Sequence, residues 1–86
     1  MDINELITIV KNKLLNQINI ESMNIEDKSF LHKNHKGNQE GKYHLKLIIV
    51  SEELKKMSKI ESNKKINKIL DQELKELIHS IQILIN

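Results

Sequence analysis

Residues 45–50 read LKLIIV, and this short apolar run decides the fold. It is rich in β-branched side chains, and its single charged residue is Lys46. A run of that length and composition is typical of the central strand of a sheet. We therefore predict a central β-strand here and assign the rest of the chain around it.

The segment before this run predicts a helix, a strand and a long loop. Asp2 and Glu5 make a start that resembles a capping box, and the apolar residues that follow recur at spacings of three and four, which predicts a helix ending near Leu15 or Asn16. Residues 20–26 alternate apolar and polar side chains, as a half-buried strand does. Residues 27–42 hold both glycines and few apolar side chains. We expect a loop there, long for a hairpin and therefore a candidate for function.

The segment after the central run predicts helices and a last strand. Ser51 predicts the cap of a short helical turn through Met57, and Ser58 with Glu61 predicts a second capping box. Apolar residues then trace one helical face from Ile66 to Ile78. The chain ends in an alternating pattern that predicts a strand. Its residues on the apolar face are His79, Ile81, Ile83 and Ile85.

The resulting order, α-β-β-α-α-β, predicts a single small α+β domain over residues 1–86. Its three-stranded sheet is covered by helices on one face. The chain of 86 residues is long enough for one domain and too short for two. The same order is that of the class II KH-like folds, which include nucleic-acid-binding domains.

Composition excludes several classes of protein. The chain has no cysteine, which excludes a disulfide framework, a self-contained thiolate metal site and a cysteine nucleophile. A net charge of +2 does not indicate the class of partner. No apolar run is long enough to cross a bilayer, so we expect no membrane association. Because no leader precedes the first helix, we expect a cytoplasmic protein, with a mitochondrial or nuclear location left open.

Four histidines are the groups with the clearest chemical potential. His32 and His35 are three residues apart in the loop, a spacing that can chelate a metal, although solvated histidines without a function are the more common case. His79 has the alternative of a structural histidine at the margin of the core. His44 opens the central strand, where a packing or solvent-facing role is expected. The carboxylates and serines form no nucleophile and base arrangement, so we expect no enzyme.

A run of lysines gives a second candidate surface. It lies where a KH domain has the glycine-x-x-glycine loop that clamps a nucleic-acid backbone, but it has no glycine. Its side chains can contact phosphates, or they can be an ordinary solvated helix face. The lysines proposed for a partner or nucleic-acid face are Lys55, Lys56, Lys64, Lys65 and Lys68.

Several segments, taken in order, resemble the BolA family. Residues 27–32 (DKSFLH) resemble its D-E-S-x-x-H loop, and His35 matches the H-x-x-H form of some members. Residues 43–46 (YHLK), with Val50 and Ser51 beyond them, resemble S-H-F-K and the strand ending in V-S. Residues 72–74 (QEL) and 78–81 (IHSI) resemble E-E-L and V-H-A-L. The resemblance spans residues 2–85 in register, apart from a short insertion near residues 39–42.

This resemblance implies a non-catalytic adaptor. BolA-like proteins pair with monothiol glutaredoxins and share a [2Fe–2S] cluster in iron–sulfur cluster maturation, trafficking or iron sensing. The family's ligand histidines fall on His32 and His79, with His35 as the substitute for His32. The partner and its glutathione would supply the thiolates, and the isolated chain would bind no cluster. Mixed imidazole and thiolate ligation is known from Rieske-type centres.

The sequence departs from the family pattern on the helical segment associated with nucleic-acid contact. The family's R-H-R is Ser62-Asn63-Lys64 here, and its F-x-G is Leu54-Lys55-Lys56. These changes weaken the alternative function, a nucleic-acid-binding transcriptional regulator that uses the face from Lys55 to Lys68. We therefore expect DNA to be at most a weak partner.

Overall fold

The run that decides the fold is the middle strand of a three-stranded sheet with the order β1-β2-β3. The computed structural model describes residues 2–29 and 42–86. The strands are β1 Ser22–Asp27, β2 Tyr43–Val50 and β3 Ile78–Ile85. β1 pairs with β2 in antiparallel fashion, and β2 pairs with β3 in parallel. The prediction of a central strand over residues 45–50 is confirmed, and that strand begins two residues earlier, at Tyr43.

The described helices are α1 Ile3–Gln17, α2 Glu52–Lys55, α3 Lys59–Ile69 and α4 Asp71–Glu76. None of them is long and apolar enough to cross a membrane. The predicted caps are confirmed: Asp2 accepts the Glu5 amide at 2.8 Å, and Ser58 and Glu61 form a complete capping box. Each cap satisfies amide groups that have no partner within their helix.

The helices cover one face of the sheet, as predicted. Leu45, Leu47 and Ile49 alternate along β2 and are buried, whereas Lys46 and Ile48 between them are only half-buried. The helices pack apolar residues of their own against this face. The buried core consists of Leu6, Val10, Leu14, Ile18, Ile25, Leu45, Leu47, Ile49, Leu54, Ile66, Leu70 and Ile78. The protein is therefore an α+β domain with a mixed sheet.

The predicted long helical face from Ile66 to Ile78 is wrong in two respects. The helix breaks at buried Leu70, whose backbone leaves helical geometry at φ −98° and ψ 17°, and resumes as α4. Ile78 belongs to β3, because the Tyr43 amide bonds the Leu77 carbonyl at 2.9 Å and begins the β2–β3 pairing there. Ile78 is buried, as a residue on the core face of a helix would be. The spacing of apolar residues therefore could not distinguish the start of the strand from a continued helix.

Candidate functional site

His79 lies at an irregularity near the start of β3. Tyr43 is opposite Ile78, but the next residue, His44, is opposite Ser80, so β3 holds one extra residue at this point. Such a bulge redirects a side chain that strict alternation would place on the other face. The prediction that His79 shares the apolar face of Ile81 is wrong for this reason, since Ile78 is buried and His79 is exposed.

The bulge brings His79 against His44. The two imidazole rings are stacked, with centroids 4.9 Å apart and planes at 24°. His44 is 5% exposed, and His79 is open to solvent. We call these two residues the histidine pair. One imidazole of the pair is therefore a buried support, and the other is available to a partner.

The ring and the backbone of His44 are held on several sides. Its Nδ1 lies 2.6 Å from the Ser80 hydroxyl oxygen. Its amide donates to the Ser29 hydroxyl at 3.1 Å, and its carbonyl accepts the Lys28 amide at 2.7 Å. Bonds from three neighbouring residues fix the position of the ring on which His79 stacks.

The contact between His44 and His79 was not predicted from the sequence. The signal was present, because each histidine lies at the start of a predicted strand. Two strands that enter a sheet in parallel, side by side, bring such residues together. The bulge could not be predicted from the residue pattern, because it depends on the register between the two strands.

His32 and His35 lie outside the described residues, so the predicted closeness of His32 and His79 stays a prediction. The described residues that flank this segment are close to the histidine pair. Ser29 bonds the backbone of His44, and Lys42 donates to the Lys75 carbonyl at 3.1 Å. Ser29 is therefore in direct contact with the pair, and Lys42 precedes His44 by two residues.

A cleft of about 390 Å³ adjoins the histidine pair. His44 and Ser80 line it on one side, and Lys28 and Lys46 bring positive charge to it. Lys28 also forms an ion pair with Glu26 at 3.0 Å. Within residues 2–29 and 42–86, no group of three or more histidine or acidic side chains is placed to hold a metal ion. The described residues therefore bring two imidazoles together here without a further cluster of acidic or histidine side chains.

Of the five predicted lysines, three line two separate clefts, and Lys56 and Lys64 are exposed outside them. Lys55 lines a cleft of about 320 Å³ beside the end of β3, whereas Lys65 and Lys68 line one of about 600 Å³ between α1 and α3. Lys65 is also engaged by Glu53 at 2.9 Å. The Asn19 amide, and after it Lys65, lowers the pKa of the Glu53 carboxyl. Lys65 therefore has a structural partner that Lys55 does not have among the described residues.

The sequence matches the family model described as BolA-like protein over residues 14–86. It is 28% identical over 75 residues to the DNA-binding transcriptional regulator BolA of Haemophilus influenzae, an alignment that covers 87% of this chain and 70% of the relative.

Solved structures agree with the family model. The BolA domain of SufE1 from Arabidopsis thaliana has a TM-score of 0.78 at 25% identity, over 92% of this chain and 87% of that domain. BolA1 from the same plant has a TM-score of 0.77 at 24% identity, over 92% and 87% of the two chains, and shows the shared fold. The family model covers most of the sequence, and the chain belongs to the BolA family.

Proposed function

We propose that this protein is a non-catalytic adaptor that pairs with a monothiol glutaredoxin and supplies histidine ligands to a shared [2Fe–2S] cluster. The observation that carries the proposal is the exposed imidazole of His79, displaced from the core face by a bulge and supported by buried His44. A solvent-facing ring with a fixed support is what a ligand to a shared centre requires.

The donor set fits such a centre. Neutral imidazole is a good ligand for iron, and two histidines can replace two cysteines on one iron of a [2Fe–2S] centre. The chain has no cysteine, so the thiolates must come from the glutaredoxin and its glutathione. When bound, the cluster would supply one-electron redox chemistry, at a potential that histidine ligation raises relative to thiolates alone. The role of this chain is to position its imidazoles as ligands.

His32 is the proposed second ligand, and His35 is its substitute. His32 follows Ser29 by three residues, and three residues of extended chain span at most about 11 Å. Since Ser29 is bonded to His44, the chain can bring His32 to the exposed side of the histidine pair. His35 follows three residues later and has a longer reach. This reach supports both histidines as ligands.

The test mixes the protein with a cluster-bearing, glutathione-loaded monothiol glutaredoxin and records visible absorption and circular dichroism. We expect new bands from histidine ligation and a one-to-one complex by size-exclusion chromatography with light scattering. His79→Ala should remove the new bands, and His32→Ala should remove or shift them. His35→Ala is the matched loop variant and should have an effect only if His35 takes the place of His32.

Two outcomes would contradict this function. One is a visible spectrum that does not change on mixing. The other is a changed spectrum that survives in the double variant His32→Ala and His79→Ala. Asn12→Glu, at an exposed position of α1 outside every proposed site, controls for a general effect of surface substitution and should leave the spectrum as in the wild type.

A second candidate function is DNA binding, the activity for which the Haemophilus influenzae relative is named. The observation that favours it here is the set of lysines on α2 and α3, two of which line clefts without an ion pair in the described structure, Lys55 and Lys68. Binding through lysines alone predicts a steep dependence of affinity on salt. Lys64→Glu and Lys65→Glu should then weaken binding. Affinity no greater than that of any basic protein would exclude this function.

A further inference from the structure

The outer edge of β3 is unusual for an exposed strand. Of the described strands, only β2 pairs with β3, so no described strand covers the other edge of β3. Residues 78–85 read IHSIQILI, with no lysine, acid or proline, in a chain whose residues are 30% charged. Natural proteins usually protect open edges with charges, prolines or bulges. Within the strand itself, the bulge near its start is such a feature, and residues 81–85 after it carry none of them.

The backbone of this second half presents free hydrogen-bonding groups. The Asn86 amide donates to the Ile49 carbonyl at 2.8 Å, and its carbonyl accepts the Ser51 amide at 3.4 Å, so the polar groups of Asn86 face β2. Along a strand, the amide and carbonyl groups of successive residues point alternately to one neighbouring side and to the other. The amide and carbonyl groups of Ile83 and Ile85 therefore face away from β2, toward the open edge.

An apolar groove runs beside these groups. A cleft of about 320 Å³ lies between the end of β3 and the α2–α3 junction. Its apolar wall includes Leu54, Met57, Ile83 and Ile85, and Ser62 and Asn63 add polar groups. We call this cleft and the adjoining strand edge the edge groove. A strand edge next to an apolar groove is the arrangement by which domains bind an extended peptide through added strand pairing.

The charge of the edge groove selects the kind of peptide. Lys55 and Lys59 both line it, and neither forms an ion pair with any residue of the described ranges. Two ammonium groups beside an apolar wall favour a segment that carries carboxylates as well as apolar side chains. Single-stranded nucleic acid fits less well, because such sites stack bases on aromatic side chains and none of the lining residues is aromatic.

We propose that the edge groove binds an extended, acidic peptide segment of a partner protein, which adds as a strand to the outer edge of β3. The main chain of the peptide bonds Ile83 and Ile85, alternate apolar side chains enter the groove, and carboxylates pair with Lys55 and Lys59. His79 precedes Ile85 by six residues of strand, about 20 Å. The peptide would thus occupy the opposite end of β3 from the histidine pair.

The test uses a designed nine-residue peptide, acetylated and amidated, with threonine at odd positions. Its even positions are glutamate, valine, valine and glutamate, so that it can bind in either direction. Titration into the ¹⁵N-labelled full chain should shift the amide resonances of Ile83, Ile85 and residues 54–63. A matched peptide with lysine in place of glutamate should bind at least about tenfold more weakly, because two attractive charge pairs become repulsive.

Two further probes test the strand pairing and the lysines. Peptides methylated on the amides of either the odd or the even residues keep their side chains, but one of the two loses its bonds to β3. Since the two sets of amides face β3 in opposite binding directions, methylation of the set that bonds β3 in the preferred direction should weaken binding more than methylation of the other set. Lys55→Glu with Lys59→Glu should weaken binding at least about tenfold, whereas Lys64→Glu with Lys68→Glu has the same change in charge outside the groove and should not.

Four results would overturn the proposal. They are an acidic peptide that does not bind, equal binding of the acidic and lysine peptides, equal binding of both methylated peptides, and shifts confined to other parts of the chain. An oligothymidylate that displaces the peptide with higher affinity would assign the groove to nucleic acid instead. Shifts of the same residues on concentrating the protein alone would assign it to a second copy of the chain.

Discussion

At the scale of single residues, the histidine pair combines a supported ring with an exposed one. His44 is fixed by Ser80 and Ser29, and among the described residues His79 is oriented by stacking on it. Stacking of two rings contributes about 0.5–1.5 kcal/mol, which corresponds to at most about a tenfold effect on an interaction that requires the stacked orientation. The contribution of His44 to partner binding is therefore measurable and smaller than that of a ligand.

This leads to a prediction for His44. His44→Ala should weaken the complex with the cluster-bearing glutaredoxin by up to about tenfold, because His79 loses its support. His44→Phe retains an aromatic ring and should keep most of the affinity, and the freed Ser80 hydroxyl can bond water because Ser80 is exposed. Titration followed by circular dichroism measures both. Equal losses for the two variants would mean that stacking is not the reason.

The hydroxyl of Ser51 joins segments that are far apart in the sequence. It is fully buried, accepts the Leu54 amide at 3.2 Å as the cap of α2, and donates to the Asn19 carbonyl at 2.8 Å. Ser51→Ala should lower the free energy of unfolding by about 2 kcal/mol, through the lost cap and an acceptor left without its donor. Urea denaturation measures this. Ser58→Ala, which removes an exposed cap, is the control and should cost about 1 kcal/mol.

At the scale of elements, the sequence predicted what local chemistry determines. Periodicity and cap residues located α1, the central strand and the starts of α2 and α3 to within a few residues. The break at Leu70 was not predicted, because no glycine or proline marks it and both halves continue the same apolar face. The bulge at His79 was not predicted either, since it exists only in the pairing of β3 with β2. The geometry of the site could therefore not be predicted from any single element, because it depends on how two strands pair.

The α4 helix is tied to α1 by a partly buried ion pair. Lys13 donates to Glu73 Oε2 at 2.6 Å, and the Glu73 side chain is 7% exposed. Lys13→Met should lower the free energy of unfolding by about 2 kcal/mol, because it leaves a buried carboxylate without its donor. Adding Glu73→Met should recover most of that loss, since an apolar pair can replace a buried ion pair. A double-mutant cycle in urea tests this, and additive losses would contradict it.

Glu53 connects the α1–β1 turn with α2 and α3, and this makes one contribution to stability dependent on pH. Its carboxylate accepts the Asn19 amide at 3.0 Å and pairs with Lys65, which together lower its pKa. Because the pKa is lower in the folded state, the carboxylate stabilises the fold when the pH is above the ordinary glutamate pKa of about 4.3. This contribution is lost as the pH falls through the folded-state pKa. Glu53→Gln should therefore have a lower thermal midpoint than the wild type at pH 7, with a difference that shrinks below about pH 4. A difference that does not depend on pH would exclude the charge as its cause.

At the scale of the whole molecule, the residues that stabilise the fold are separate from those that we propose to act. The buried core lies between the helices and one face of the sheet, whereas His79 is exposed at the bulge that begins β3. His79→Ala should therefore change the free energy of unfolding by less than about 1 kcal/mol and still abolish the spectral change with glutaredoxin. Leu47→Ala, at a fully buried position, should cost about 2–5 kcal/mol and leave the spectral change intact in the folded fraction. Urea denaturation and visible circular dichroism on the same samples measure both quantities, and a loss of stability in His79→Ala as large as that in Leu47→Ala would show that His79 supports the fold rather than a partner.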